Sequence, residues 1–368
     1  MARKSPKPTE IERPEGLEMP VPVPLDEVVG HARARETLQR AMRSGRIHHA
    51  WIFHGPVGVG KCTLALAFGA MLLDPTAAPN LAGDIDVDPE SPTQRLIRAG
   101  SHPDFHLVTK ELARYHADSK IRERKLTTIP KEVIEDHLLK PSRLSGSTTG
   151  GMASKVFIVD EAELLAQNAA AQNALLKTLE EPAPGTVIIL VTSSEERLLP
   201  TIRSRSQRVA FAPLTDDEMR RWIGDRPVPR AGLLLAGGSP GMLEMLTESG
   251  LLEWHVQLEP ALDQLASGRY VPDLAPTMAS LVDAWAVQWV ESHENASKDA
   301  ANKQGVRHML RLVSEDRRRR LRHATEDPDE MERHLRAIDD ITTAEHQILR
   351  NVQAPFVFEG LVARLARS

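Results

Sequence analysis

A glycine-rich segment early in the chain has the composition of a phosphate-binding loop. Gly55, Gly58 and Gly60 precede Lys61, and the segment lies between a predicted strand and a predicted helix, which is the context that such a loop requires. The glycines let backbone N–H groups approach phosphate oxygens, the helix N-terminus attracts negative charge, and the lysine supplies a cation for the β- and γ-phosphates. The pattern therefore predicts a nucleotide-phosphate site.

The residue after the lysine departs from this pattern. A Ser or Thr here provides a hydroxyl ligand to Mg²⁺, whereas this chain has Cys62. A thiol is a poor ligand for a hard cation. Thr63 is rotated by about 100° around the predicted helix and is not expected to replace it. The sequence leaves two outcomes open: a site for ATP or ADP with Mg²⁺, and a loop that no longer holds nucleotide.

Two carboxylates follow a predicted buried strand further along the chain. Asp160 and Glu161 come at the end of the apolar run 155–160. In P-loop proteins the first such carboxylate orients Mg²⁺ and the second polarises the attacking water. Many buried strands end in Asp, so this pair draws its meaning from the phosphate loop that precedes it.

Arg205 and Ser239 are two further residues that could take part in chemistry. An arginine on a loop, such as Arg205 between two serines, can reach the γ-phosphate of a neighbouring subunit; a surface arginine without this role is the alternative. Ser239 fits the G-x-S-x-G pattern, but a nucleophile of that type follows a strand, and the residues before Ser239 predict a helix. We therefore do not expect a serine hydrolase.

Composition narrows the class of protein. The 368 residues suggest two or three domains. A formal charge of −5, from 46 Lys+Arg and 51 Asp+Glu, argues against coating of nucleic acid by bulk positive charge. A single cysteine excludes a cysteine-based zinc site and fits a reducing compartment. No segment resembles a signal peptide or a membrane span, so a cytoplasmic protein without membrane contacts is expected.

The elements that position these residues alternate between strands and helices. Apolar runs predict strands at residues 50–53, 105–108, 155–160, 186–192 and 208–211. Because helix-length segments separate these runs, a parallel sheet with helices on both faces is predicted.

Other segments are assigned from their composition. A helix capped by Asp26 is predicted to run from about Glu27 or His31 to Ser44. Residues 1–24 are predicted to be a disordered arm and residues 74–103 a loop excursion. The chain after Pro213 is predicted to be helical, with the arginine run 317–320 on a solvated helix face. A patch for nucleic acid or an acidic partner is the alternative for that run.

With these motifs in order, the sequence resembles the bacterial clamp-loader subunits of DNA polymerase III. The most specific string is NALLKTLEEP at residues 173–182, supported by residues 47–50, 160–161 and 204–206. The resemblance covers residues 25–250 well and the remainder loosely. It implies an α/β AAA+ P-loop domain (residues 25–212, a five-stranded parallel sheet flanked by helices), a small helical lid domain (213–250) and an all-α collar domain for oligomerisation (251–368).

Within this family the sequence is more similar to the delta-prime subunits than to the gamma/tau ATPase motor subunits, which remain the alternative. The family's four-cysteine zinc module is absent, Cys62 stands at the magnesium-ligand position, and residues 238–246 lack the sensor arginine of the motor subunits. The intact Lys61, Asp160 and Glu161 favour a motor instead. Weak or absent ATP hydrolysis by this chain is expected.

The resemblance also implies roles for residues and partners. Arg205 matches the arginine that completes the ATP site of an adjacent subunit, and Thr192 matches the family's first sensor position. The expected function is that of a stator, which supports ATP-driven loading of the sliding clamp on primed DNA. Expected partners are the motor subunits and delta, with the clamp and primed DNA contacted through the complex. No zinc and no metal site of the chain's own are expected.

Overall fold

The computed structural model describes residues 19–124, 126–167, 169–292, 297–324, 327–349 and 352–367. Residues 1–18 of the predicted disordered arm therefore lie outside the described residues. The chain divides into two compact units, one ending at Gly224 and one beginning at Asp225. The domain boundaries expected after residues 212 and 250 stay predictions.

The first unit is built around a parallel sheet. Its described strands are β1 (Ala50–His54), β2 (Ala78–Pro79), β3 (Ile85–Asp86), β4 (Phe105–Val108), β5 (Lys155–Val159), β6 (Thr186–Thr192) and β7 (Gln207–Ala210). Five of these form one sheet in the order β4-β5-β6-β1-β7, and its described pairings are parallel. The predicted strands are confirmed, with the last one residue earlier than expected. β1, which leads into the phosphate loop, lies between β6 and β7.

Helices surround this sheet. The described α-helices of the unit are α1 (Ala32–Arg43), α2 (Lys61–Leu73), α3 (Pro92–Arg98), α4 (Ser119–Arg122), α5 (Lys131–Ile134), α6 (Lys140–Ser142), α7 (Ala169–Glu180), α8 (Pro200–Ser204) and α9 (Asp216–Ile223). Short 3₁₀ turns span Lys110–Tyr115, Ala162–Gln167 and Glu195–Arg197, and a π-turn spans Glu135–Leu139. The predicted Asp26 cap is wrong, because the residue before α1 is His31, whose side chain makes no capping bond.

Both faces of the sheet are buried, which explains why its strands are apolar without interruption. Along β1, Trp51 and Phe53 enter one apolar cluster, whereas Ala50 and Ile52 enter the other. Successive side chains of a strand point to opposite faces. A parallel sheet covered on both sides therefore needs apolar residues at every position. α2 packs within the first cluster and brings the end of the phosphate loop against the sheet.

The segment 74–103 is more ordered than the loop excursion that was predicted, since it contains the hairpin β2–β3 and the helix α3. The carboxylate of the buried Asp74 accepts hydrogen bonds from the Thr76 N–H (2.9 Å), the Ser91 hydroxyl (2.6 Å) and the Gln94 amide (2.9 Å). Burial raises the pKa of Asp74, but these donors outweigh it and hold that pKa below its ordinary value. A carboxylate that collects these donors organises the segment.

The second unit is helical in its described part. Its helices are α10 (Arg230–Ala236), α11 (Pro240–Glu248), α12 (Leu251–Ala266), α13 (Leu274–Ser292), α14 (Lys298–His323), α15 (Pro328–Leu349) and α16 (Ala354–Leu365). None of the described helices of either unit is long and apolar enough to cross a membrane. Ser239 is the N-cap of α11, and its hydroxyl accepts from the Met242 N–H at 3.2 Å. It follows a helix rather than a strand, as the sequence predicted.

The arginine run 317–320 on α14 is not a solvated face, so that prediction is wrong. Arg317 is only 3% exposed. Arg319 and Arg320 donate to the buried carboxylate of Asp316 at 2.7 and 2.8 Å, and Arg320 also donates to Asp263 of α12. Arg318, Arg319 and Arg320 thus pair with carboxylates on their own helix or on α12, and their charge is used within the unit.

Candidate functional site

The phosphate loop has the backbone shape that its glycines allow. It connects β1 to α2, and Gly55, Gly58 and Gly60 have φ angles of 148°, 74° and 104°. Residues other than glycine rarely adopt such φ angles. At Gly55 a Cβ would also lie 2.3 Å from the Phe211 carbonyl oxygen. Gly60 directly precedes the first turn of α2, whose free N–H groups and dipole favour an anion.

Lys61 lies at the position that the loop pattern predicts, and it is 6% exposed. Its Nζ donates to the carbonyl oxygens of Gly55, at 2.8 Å, and Pro56. Burial lowers the pKa of Lys61, whereas the carboxylates of Glu163 and Asp160 oppose that shift. The structure thus brings the loop cation and the carboxylates after β5 into one electrostatic neighbourhood.

The Cys62 thiol lies close enough to Asp160 for the two groups to interact. Burial raises the pKa of the Cys62 thiol well above its ordinary value, and the charge of Asp160 adds to the shift. The thiol is therefore protonated at neutral pH. The loop backbone and Lys61 fit nucleotide phosphates, but a protonated thiol does not fit Mg²⁺. Thr63 is exposed and does not replace it.

The two predicted carboxylates have different surroundings. Asp160 Oδ1 accepts from the Glu161 N–H at 2.9 Å, and burial raises the pKa of Asp160. Glu161, at a φ of 49°, places its carboxylate 2.6 Å from Lys110 Nζ. Burial raises the pKa of Glu161, and Lys110 opposes the shift. The residue expected to polarise water is thus paired with a cation, a contact that sequence reasoning missed.

Thr192 lies at the carboxyl end of β6, next to the start of the phosphate loop. It is buried and pairs in register with His54 of β1, and its hydroxyl accepts from the Ser194 N–H at 3.1 Å. The next residue, Ser193, donates from its N–H and its hydroxyl to Glu163. The ends of β5, β6 and β1 therefore meet at one edge, where open α/β sheets bind ligands. Glu163 was missed as part of this edge, although it follows Asp160 by only three residues.

Arg205 has contacts with a different part of the unit. It directly follows α8, and its Nη1 donates to the Thr201 carbonyl at 3.1 Å. Its Nη2 lies 2.9 Å from Glu180 Oε1 at the end of α7, and the two side chains are 38% and 49% exposed. An exposed guanidinium of this kind is accessible to a group on another molecule.

Metal ligands are sparse in the described residues. No group of three or more His, Cys, Asp or Glu side chains among them is arranged to hold a metal ion.

Sheet order and loop together define the class of protein: the first unit is an AAA+ P-loop domain, with its phosphate loop between the interior strand β1 and α2. The family model described as "DNA polymerase III, delta subunit" matches residues 30–215, and the chain belongs to this family.

Individual relatives agree with this assignment. The chain is 33% identical over 223 residues to DNA polymerase III subunit delta' of Pseudomonas aeruginosa, covering 59% of this chain and 61% of that protein. It is 30% identical over 273 residues to subunit gamma/tau of Mycobacterium tuberculosis, covering 66% of this chain and 40% of that protein. The chain thus spans about two fifths to three fifths of the curated relatives that it matches.

A solved structure also matches along most of the chain. A DNA polymerase III gamma-subunit-related protein from Thermotoga maritima covers 90% of this chain and 98% of its own, at 15% identity and a TM-score of 0.42. Likeness at that level adds nothing to what the order of the sheet already shows.

Proposed function

We propose that this chain acts as a delta-prime-like subunit of the DNA polymerase III clamp loader. It would be a stator that supports ATP-driven loading of the sliding clamp on primed DNA, with the motor subunits and delta as its partners. One contrast carries the proposal: a partly exposed Arg205 is held ready at one edge, while the chain's own phosphate loop has a protonated thiol at the metal-ligand position.

Arg205 is proposed to act in trans as an arginine finger. A guanidinium offers several N–H donors in a planar fork, which matches the oxygens of a phosphoryl group. Positioned at a neighbour's γ-phosphate, it stabilises the charge that develops as the phosphoryl group transfers. The nucleotide site of this chain itself is proposed to hydrolyse ATP weakly or not at all.

The chain's own site supports nucleotide binding better than hydrolysis. The glycine backbone, the α2 N-terminus and Lys61 suit the phosphates of ATP or ADP, with Thr192 at the edge of the same site. Cys62 is a poor partner for Mg²⁺, and Glu161 is engaged by Lys110. Residues 213–250 are proposed as the lid and the helices after residue 250 as the collar that contacts other subunits.

The second candidate is a gamma/tau-like motor subunit. Lys61, Asp160 and Glu161 are present, and the similarity to a gamma/tau protein extends over 273 residues. Under this alternative the chain would hydrolyse ATP itself, and hydrolysis would depend on Lys61.

A reconstituted clamp loader distinguishes the two candidates. Arg205→Ala is expected to slow hydrolysis at the one site that it completes by about 10³-fold, which removes one fast turnover from the pre-steady-state burst of ATP cleavage. Lys61→Ala should leave that burst unchanged. Arg220→Ala, which alters another exposed, ion-paired arginine of the same unit, is the matched control. A burst that survives Arg205→Ala and falls with Lys61→Ala would establish the motor instead.

A further inference from the structure

The ion pair between Arg205 and Glu180 joins two segments that the sequence separates. Glu180 is the first glutamate of the pair in the string 173–182, and it is the last residue of α7. Its Oε1 lies 2.9 Å from Arg205 Nη2, while the Thr201 carbonyl accepts from Nη1 at 3.1 Å. Both terminal nitrogens of the guanidinium therefore have a partner on the same unit.

The two helices that carry this pair are fixed relative to each other. The Gln172 side chain on α7 donates to the Arg197 carbonyl at 3.3 Å and accepts from the Leu199 N–H at 2.8 Å, directly before α8. At the end of α7, the Leu179 carbonyl is within 3.0 Å of His49 Nε2. The side chains of Leu179 and Ile202 are buried in one apolar cluster. The carboxylate thus projects from a rigid support.

We propose that Glu180 is a positioning residue for Arg205, which deepens the proposed function and rests on it. Each terminal nitrogen uses one N–H on these partners, and the remaining N–H groups stay available to phosphate oxygens. An arginine that is oriented beforehand loses less side-chain freedom when it meets the phosphate. An exposed ion pair adds little to the stability of the fold, so stability does not account for the contact.

The negative charge of Glu180 also limits how close its carboxylate can lie to the phosphate that Arg205 contacts. A carboxylate near the finger repels an approaching phosphate, and like charges oppose each other most at short range. The Arg205–Glu180 ion pair speeds hydrolysis when the benefit of orienting Arg205 exceeds this repulsion. That condition is met if Glu180 contacts only the side of the guanidinium that faces α7, away from the phosphate. Removing the carboxylate should then slow hydrolysis rather than speed it.

The test uses the reconstituted clamp loader and the burst at the site that Arg205 completes. Glu180→Ala is expected to slow that burst by about threefold to tenfold, since orientation is one part of what the finger supplies. The ATP concentration for half-saturation should stay the same. Glu180→Gln, which keeps an oxygen acceptor, should recover part of the rate. Glu181→Ala changes the exposed neighbouring glutamate, and its burst should match that of the unaltered chain. The thermal unfolding temperature of each variant should also equal that of the unaltered chain.

Each outcome separates this inference from the proposed function. If Arg205→Ala abolishes the burst and Glu180→Ala leaves its rate unchanged, Glu180 has no positioning role, but the finger stands. If Glu180→Ala accelerates the burst, Glu180 restrains the finger, and the inference is overturned. If Arg205→Ala itself has no effect, the proposed function fails, and the inference fails with it.

Discussion

The phosphate loop and the Arg205 edge of the same domain hold their cations in opposite ways. Lys61 is buried and donates hydrogen bonds to carbonyls of its own loop, and burial beside the charge of Asp160 raises the pKa of the neighbouring Cys62 thiol. Arg205 is partly exposed and is held by a carbonyl and a carboxylate on two helices. Because the two cations depend on different elements, a change at one region leaves the contacts of the other in place. A chain can therefore lack an efficient site of its own and still complete a neighbour's.

Replacing Arg205, the proposed finger, by another cation gives the largest expected effect on this comparison. Arg205→Lys keeps the charge but loses the planar fork that matches a phosphoryl group. We expect the burst of hydrolysis at the completed site to fall by about 10²-fold or more, measured by rapid quench in the reconstituted complex. If lysine supports the burst as well as arginine does, charge alone suffices, and the contrast between the two regions loses its geometric basis.

Restoring a hydroxyl in the phosphate loop should reduce the difference between this loop and the Arg205 edge. Cys62→Thr supplies a hydroxyl at the metal-ligand position, and a hydroxyl oxygen suits Mg²⁺ where a protonated thiol does not. Nucleotide affinity of the isolated chain should rise by about tenfold in Mg²⁺, with a smaller change in EDTA, as measured by calorimetric titration. Thr63→Ser is the matched control. An equal gain with and without Mg²⁺ would show that the thiol is not what weakens metal binding.

Asp160 offers a smaller test, through stability and its dependence on pH. Burial raises the pKa of Asp160 in the folded chain, so stability from this group is present below the unfolded pKa and is lost as pH rises through the folded one. Asp160→Asn removes that loss and keeps an oxygen for the Glu161 N–H. We expect a gain of about 1 kcal/mol in the free energy of unfolding at neutral pH.

Urea denaturation at two pH values checks this expectation. The gain should shrink as pH falls towards about 4 and vanish well below that value, where Asp160 is protonated in both the folded and the unfolded state. Asp217→Asn, at an exposed carboxylate, should change stability by less than about 0.5 kcal/mol. A loss of stability with Asp160→Asn at neutral pH would mean that the ionised carboxylate is stabilising, which contradicts the raised pKa of Asp160.

Sequence predictions are accurate where the determining residues lie within a few positions of one another, and inaccurate where distant residues determine the structure. β1, the phosphate loop and α2 have the predicted character because an apolar run, glycines and a lysine act within a few residues of one another. β7 was placed one residue late, since this edge strand has one buried side chain to mark its register. The order within residues 74–103 was missed because Asp74 gathers donors from residues as far away as Gln94. The arginine run was misjudged because one of its acceptors, Asp263, lies on another helix.

The sequence by itself determined the type of loop, the thiol at the metal-ligand position, and the presence of an arginine that could serve a neighbour. Only the tertiary structure decided that Asp160 acts on Cys62, that Lys110 pairs with Glu161, and that Glu180 pairs with Arg205. Residue type and short spacing specify backbone shape and chemical class. The partner of a charged side chain depends on how separate elements pack, because Coulomb attraction and hydrogen bonding act over a few ångströms in space.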